Sequence, residues 1–209
     1  STLDASWNQK QIDWLEHLKK CFSKHQYQHL TEHFGFMSSA NAHSGCPLPL
    51  SLDERSLELG QDRLKRLQEA ARVPVGLENL ALSFSINDVN QQGEFLEKLV
   101  TPVNGFLIMD IHNLYCQSYN FNVPLNDLID AYPTHLVKEI HISGGSWQES
   151  IYGDHKVRRD THNEAAPQEV FDGFEYALSV CPHLEYVILE RLGNSFNSEQ
   201  DAQENIEDY

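Results

Sequence analysis

The chain of 209 residues predicts an α/β fold built on a parallel sheet. Three observations lead there. Amphipathic stretches at helical spacing alternate with short apolar runs rich in β-branched residues. The alternation makes five strand–helix units, with no repeat, low-complexity tract or linker between them. And a composition with 40% hydrophobic and 10% aromatic residues can fill a core, unlike that of a disordered chain. The whole chain, residues 1–209, therefore reads as one domain.

Taken in order, residues 7–22 place Trp7, Trp14, Leu15, Leu18 and Phe22 at helical spacing. Residues 28–36 read as the first strand. Ser51 with Glu54 forms a capping-box signature, and Leu57, Leu64, Leu67 and Ala71 give the helix behind it one apolar face. Residues 73–77 form the second strand, followed by a helix around 93–100. Residues 105–109 are the most apolar strand. A short helix at 124–131 leads to a fourth strand at 136–142. Pro167 stands where a helix begins, with Val170, Phe171, Phe174, Ala177 and Leu178 on its buried face. Residues 186–189 make the last strand, and Ser198 caps a final helix. Two stretches, 36–52 and 144–166, read as irregular, and loops that long in such a fold are usually functional. Five units are too few for a closed barrel, which needs about eight. The sheet is either open or part of a barrel that lacks its first strands.

Charge narrows the function. The 31 acidic against 15 basic side chains, a formal charge of −16, exclude nucleic acid as a partner, since phosphate contacts need clustered Lys and Arg. The same sign disfavours docking on anionic membranes. No apolar run approaches the roughly 18 residues of a spanning helix, and the first residues do not resemble a signal peptide. Cys21, Cys46, Cys116 and Cys181 are scattered without a C-x-x-C pair, which points away from a zinc knuckle or disulfide scaffold and towards a reducing cytoplasm.

The chemistry gathers at the strand ends. The first strand terminates in Glu32–His33, the second in Glu78–Asn79, and the third in Asp110 with His112 and Asn113 just after it. The fourth supplies His141 and the fifth Glu190–Arg191. In parallel α/β folds the C-terminal ends of the strands converge on the ligand site. Any one Glu or His there is as readily a loop or cap residue; all five strands ending this way is not explained so. Converging carboxylates and imidazoles need a cation, and mixed His and Asp/Glu ligation suits iron, manganese or zinc. Asp160-Thr161-His162 adds a sixth element, because an Asp-x-His spacing in an extended segment puts both side chains on one face. The bland alternative pairs Asp160 with neighbouring Arg158 and Arg159. His17, His25, His29 and His183 read as surface or core residues, and His43, His135 and His155 lie in or near loops without a partner at ligand spacing. Nucleophile elbows and Gly-rich phosphate loops are absent. Gly144–Gly145 suits either an anion or a turn, and Cys46 is the one thiol placed as a nucleophile, with inertness the expectation.

These residues lie in motifs: Thr-Glu-His-Phe-Gly at 31–35, Leu-Glu-Asn at 77–79, Met-Asp-Ile-His-Asn at 109–113, Glu-Ile-His-Ile-Ser-Gly-Gly at 139–145, Asp-Thr-His at 160–162 and Leu-Glu-Arg at 189–191. Their order and spacing resemble the multinuclear non-haem iron-dependent oxidative enzymes, the family of the methanobactin biosynthesis oxygenase, from about residue 3 to the C-terminus. The resemblance implies a TIM (β/α) barrel of the xylose-isomerase-like kind with two or three irons, other divalent metals being the alternative, at its C-terminal face. It implies His33, Glu78, Asp110, His141, Asp160, His162 and Glu190 as ligands, Glu78 bridging, and no catalytic residue apart from them. His112 and Asn113 stand as extra ligands or as groups behind the ligands; Arg191 stands behind them too and, with Arg158 and Arg159, is a candidate to orient the peptide or a carboxylate. It implies oxidation of cysteine residues in a ribosomally made peptide, with a partner protein presenting the leader segment. Two departures stand out. Many members carry a second His where this chain has Gly145, which puts a third iron in question. The family's barrel also begins with three strands that would precede Ser1, so the expectation is an incomplete barrel of about five βα units in an N-terminally truncated member, which need not turn over as it stands. The rivals are a divalent-metal sugar isomerase or hydrolase, for which Lys138 and Lys156 are the nearest lysines, and a non-catalytic module that pairs with a second copy through an open barrel edge.

Overall fold

The computed structural model describes residues 9–39, 42–193 and 198–208. Trp7, counted above with the opening helix, lies outside them. That helix, α1 (Gln9–Lys24), buries Leu18. It leads into β1 (Leu30–His33), shorter than the strand read from sequence. Helix α2 (Glu54–Ala71) starts from Asp53, whose carboxylate accepts the Ser56 N–H at 2.8 Å, so the cap falls two residues after Ser51. It stops at Arg72, which takes a left-handed φ of 60° and returns its N–H to Gln68. β4 (Val75–Glu78) precedes α3 (Ile86–Val100), which is capped by Ser85 and starts seven residues before Gly93, over a polar stretch that carries little apolar signal.

β5 (Phe106–Asp110) runs directly into a helix that the sequence reading omitted, α4 (Ile111–Phe121). Asp110 ends the strand and caps the helix, its side chain accepting the Asn113 N–H at 2.7 Å. The helix escaped notice because His112, Asn113 and Gln117 are polar yet buried, so its apolar stripe is interrupted. α5 (Leu125–Asp130), β6 (Val137–Ser143), α6 (Gln168–Val180), β9 (Tyr186–Glu190) and α7 (Glu199–Asp208) follow where expected. Leu178, placed on the buried face of α6, is in fact on its outer side, 49% exposed, while Val170, Gly173 and Ala177 face inward. Ser198 caps α7 as anticipated, accepting the Asp201 N–H. The two stretches read as irregular are antiparallel hairpins, β2 (Phe36–Ser39) with β3 (Ala42–Leu48), and β7 (Ser146–Glu149) with β8 (Lys156–Arg159). Neither the Gly-, Pro- and Ser-bearing strands of the first nor the mostly polar strands of the second carry a clean apolar alternation.

The main sheet has the order β1-β4-β5-β6-β9, every pair parallel. One face carries Leu77, Leu107, Met109, Val137 and Ile140, which pack with Leu96, Leu99, Ile111, Leu114 and Val170 of the covering helices into the main core. The register puts Glu78, Ile108 and Glu139 in one row of the other face, and Asp110 and His141 in the next. The sheet curls enough for its edges to meet at the N-terminal end, where the Tyr186 hydroxyl donates to Gln28 Oε1 at 2.9 Å. This is a barrel wall with the helices outside and a polar interior. Among the described residues no helix is long and apolar enough to cross a membrane.

Candidate metal centre

Strand alternation sends Glu78, Asp110, His141 and Glu190 from β4, β5, β6 and β9 to the same interior, at the C-terminal end. One ligand atom from each lies within 4.8 Å of the others. His141 Nδ1 stands 3.5 Å from Glu190 Oε1 and 3.7 Å from Glu78 Oε1. Asp110 is fully buried. Asn79, the residue after Glu78, holds it in place with both ends of its amide: its Oδ1 accepts the Asp110 N–H at 2.8 Å and its Nδ2 donates to the Asp110 carbonyl at 3.1 Å.

Such an arrangement is electrostatically uncomfortable without a cation. Burial, followed by the charges of Asp160 and Glu78, pushes the Asp110 carboxyl well above the usual range. Burial opposes the charge of His141, but the carboxylates of Glu190 and Glu78 outweigh it and raise the imidazole to about 11. Burial also works against Glu190, whose carboxyl is nonetheless lowered by His141. Buried polar atoms of this region without a hydrogen-bond partner include Asp110 Oδ2, His141 Nδ1 and Ser143 Oγ, with Asn113 Oδ1 and Glu139 Oε2 beside them. Unsatisfied buried atoms on two ligand-type side chains, with two more carboxylates beside them, are what a divalent ion satisfies. The donor set fits a metal.

A second group adjoins the first. His162 Nδ1 lies 3.5 Å from Glu190 Oε2, and its Nε2 lies 2.8 Å from Asp160 Oδ1. The segment is not extended as expected: His162 has a left-handed φ of 52°, and that turn brings its ring back onto Asp160. Asp160 does not pair with the arginines beside it. Its second partner is His112, Nδ1 to Oδ1 at 3.1 Å. Burial opposes its charge, yet the two imidazoles hold its carboxyl well below the usual range, and Asp160 in turn raises His162 to about 9. Arg158, sandwiched between Tyr115 and Trp147, donates its Nε–H to His112 Nε2 at 3.1 Å; Arg159 reaches Gln148 instead. On the other flank, half-exposed His33 stands 3.5 Å from Glu78 Oε2.

All seven residues named as ligands thus share one end of the sheet. The residues named as their supports divide. His112 contacts Asp160, and Asn113 Nδ2 donates to the Asn79 carbonyl. Arg191 lies against α7, with Asp201 and Glu204, because alternation turns it away from Glu190. Two residues that sequence reasoning passed over are Glu139, bonded to His141 Nε2 at 2.7 Å, and His29 beyond it. The Glu-x-His spacing within one strand was the available signal.

The family described as "RiPP precursor modification enzyme MbnB/TglH/ChrH" matches residues 5–207. The chain belongs to that family. Among members of it, a UPF0276 protein of Acaryochloris marina is 28% identical over 80% of this chain and 59% of its own length. Those of Chromobacterium violaceum and Acinetobacter baylyi are 28% and 24% identical, over 68% and 81% of this chain and 50% and 57% of their own. The chain therefore spans little more than half the length of these relatives. Two solved structures share its fold: a xylose isomerase domain containing protein from Salmonella typhimurium, at TM-score 0.57 and 10% identity over 97% of this chain and 69% of that one, and a D-tagatose 3-epimerase-like protein, at 0.50 and 13% over 97% and 72%. The sheet is accordingly that of a xylose-isomerase-like TIM barrel, in incomplete form. Within this chain, Gly144 and Gly145 serve close packing rather than a positive-φ turn. A Cβ on Gly144 would run into the Glu164 carbonyl, and one on Gly145 would meet the Arg159 carbonyl and lie 2.6 Å from His112 Cε1. The His112 ring fills the space over Gly145.

Proposed function

We propose that the protein is an iron-dependent oxidative enzyme acting on cysteine residues of a ribosomally made peptide. The observation that carries the reading is the convergence of Glu78, Asp110, His141 and Glu190, with Asp110 Oδ2 and His141 Nδ1 buried and unsatisfied. Family membership supplies the reaction class. In this reading those four residues hold one ion. Glu190, with one oxygen towards His141 and the other towards His162, leads to a second on Asp160 and His162. Glu78 does the same between His141 and His33. Bound iron supplies redox equivalents towards dioxygen and open positions that favour a thiolate over a thiol.

The chain's own side chains prepare the place. His112 and Arg158 fix Asp160, and Asn79 fixes Asp110. The segments that follow β4 and β6, with the start of α3 and the β7–β8 hairpin, expose Leu82, Phe84, Ile86, Trp147, Ile151 and Tyr152, apolar surface that suits a peptide better than a sugar. Nor does a lysine serve the isomerase reading: Lys138 pairs with Glu185 and Lys156 with Glu149. In this reading a partner protein presents the leader segment, and the reaction takes place in the reducing cytoplasm.

The test is crystallographic and chemical. Anomalous scattering at the iron edge should give a peak beside Glu78 that disappears in Glu78→Ala. Co-expression with a cysteine-containing precursor peptide should give an iron-dependent mass change confined to cysteine. A metal-free centre in anaerobically prepared protein supplied with Fe²⁺ would refute the reading.

A further inference from the structure

One buried carboxylate in the interior is not part of the cluster. Glu139 sits two residues before His141 on β6, on the same face and 3% exposed. Its Oε1 is 2.7 Å from His141 Nε2, and its Oε2 is 3.1 Å from His29 Nε2. His29 is itself held: its ring stands edge-on to Phe106 at 5.3 Å and lies 5.2 Å from Tyr186. The three residues form a polar column, His29–Glu139–His141, running down the inside of the sheet from the cluster to the N-terminal end.

An imidazole can present either nitrogen to a metal, and the hydrogen bond made by the other decides which. A carboxylate at Nε2 requires a proton there, which leaves the lone pair of the neutral ring on Nδ1. Nδ1 is the atom that faces Glu78 and Glu190, and it has no hydrogen bond of its own. A ring turned about its Cβ–Cγ bond would offer the cluster the Cδ2–H, and one carrying its proton on Nδ1 an N–H, in place of a lone pair. We propose that Glu139 is a positioning residue that fixes the tautomer and orientation of His141 so that Nδ1 ligates the metal, and that His29 holds Glu139 in turn. The assignment rests on the reading of the cluster as a metal centre.

Cobalt(II) alone serves as the probe, titrated into the 209-residue chain and followed by its visible d–d bands and by competition with a chelator. Glu139→Ala should weaken cobalt binding roughly 10- to 100-fold and shift the bands, as loss of a carboxylate behind a ligating His does elsewhere. Glu139→Gln, whose amide oxygen still accepts from Nε2–H, should recover most of the affinity and the original bands. His29→Ala should fall between the unmodified chain and Glu139→Ala. A second measurement needs no variant. In the zinc-loaded chain, nitrogen NMR of His141 should show Nδ1 bound and Nε2 protonated; Nε2 bound would overturn the assignment. So would a folded Glu139→Ala with unchanged affinity and bands, and the metal centre would then still stand. Failure of the unmodified chain to bind cobalt at all would overturn the centre and the assignment together.

Discussion

The two ends of the sheet use the same kinds of side chain and leave them in opposite conditions. At the N-terminal end Glu139 lies between two imidazoles, Lys138 meets Glu185, and Tyr186 reaches Gln28. At the C-terminal end Glu78, Asp110, Asp160 and Glu190 crowd together, with imidazoles as the cations at hand and buried atoms left unbonded. The first end gives its buried acid two imidazole partners, though Glu139 Oε2 lacks a hydrogen bond; the second crowds four carboxylates together. The deficit is local and is matched to what a metal provides.

Four measurements would break or sharpen that contrast. The largest effect should come from neither end. Leu107 is fully buried in the core on the helix-facing side, and Leu107→Ala should cost about 2–5 kcal/mol in denaturant unfolding while leaving the metal affinity of the folded protein unchanged. Next is Asp110→Asn. It keeps the helix cap but removes a buried like charge, so the metal-free protein should gain roughly 1–4 kcal/mol. The same change should abolish the stabilisation of about 2.7 kcal/mol that metal at 100 times its Kd gives the parent. A destabilised Asp110→Asn that still responds to metal would erase the distinction between the ends.

The third measurement is a pH series on the metal-free protein. His162 and His141 are raised to about 9 and about 11. The folded chain holds these protons more tightly than the unfolded chain, so their stabilisation is complete below about 6.5. It is lost as pH climbs through about 9 and then about 11. Metal binding displaces the same protons, and affinity should therefore rise across that window. Thermal melts from pH 6 to 10, flat throughout, would contradict this. Smallest is Tyr186→Phe, which removes the hydroxyl reaching Gln28 across the sheet edges and should cost less than about 1 kcal/mol, with no change at the cluster.

Much of this was legible in the residues. The five strands were found because Val, Ile and Leu runs recur between helical stretches, and the cluster because each run ends in Glu, Asp or His. One cause recurs among the misses: polar side chains that are buried. α4 was passed over because its first turns carry His112, Asn113 and Gln117, which look like loop residues and are enclosed by tertiary contacts. α3 began early for another reason: Asn87, Asn90 and Gln91 behind Ser85 are exposed and give its first turns little apolar signal. Glu139 and His29 went unassigned because a Glu or His inside a strand declares nothing about its partner until the register is known. The arginines were misjudged through adjacency: Asp160 meets His112, 48 residues away, and not the arginines next to it.

Asp110 is at once the last residue of a strand, a member of the cluster and the cap of α4, with its carboxylate divided between Asn113 and the interior. Events at the cluster must therefore be felt as breathing of the helix end. A proton or an ion drawing on one carboxylate oxygen changes how firmly the other keeps hold of the Asn113 amide. The solvent-exchange rate of that single amide hydrogen becomes a gauge of the centre's state, readable without touching the centre itself.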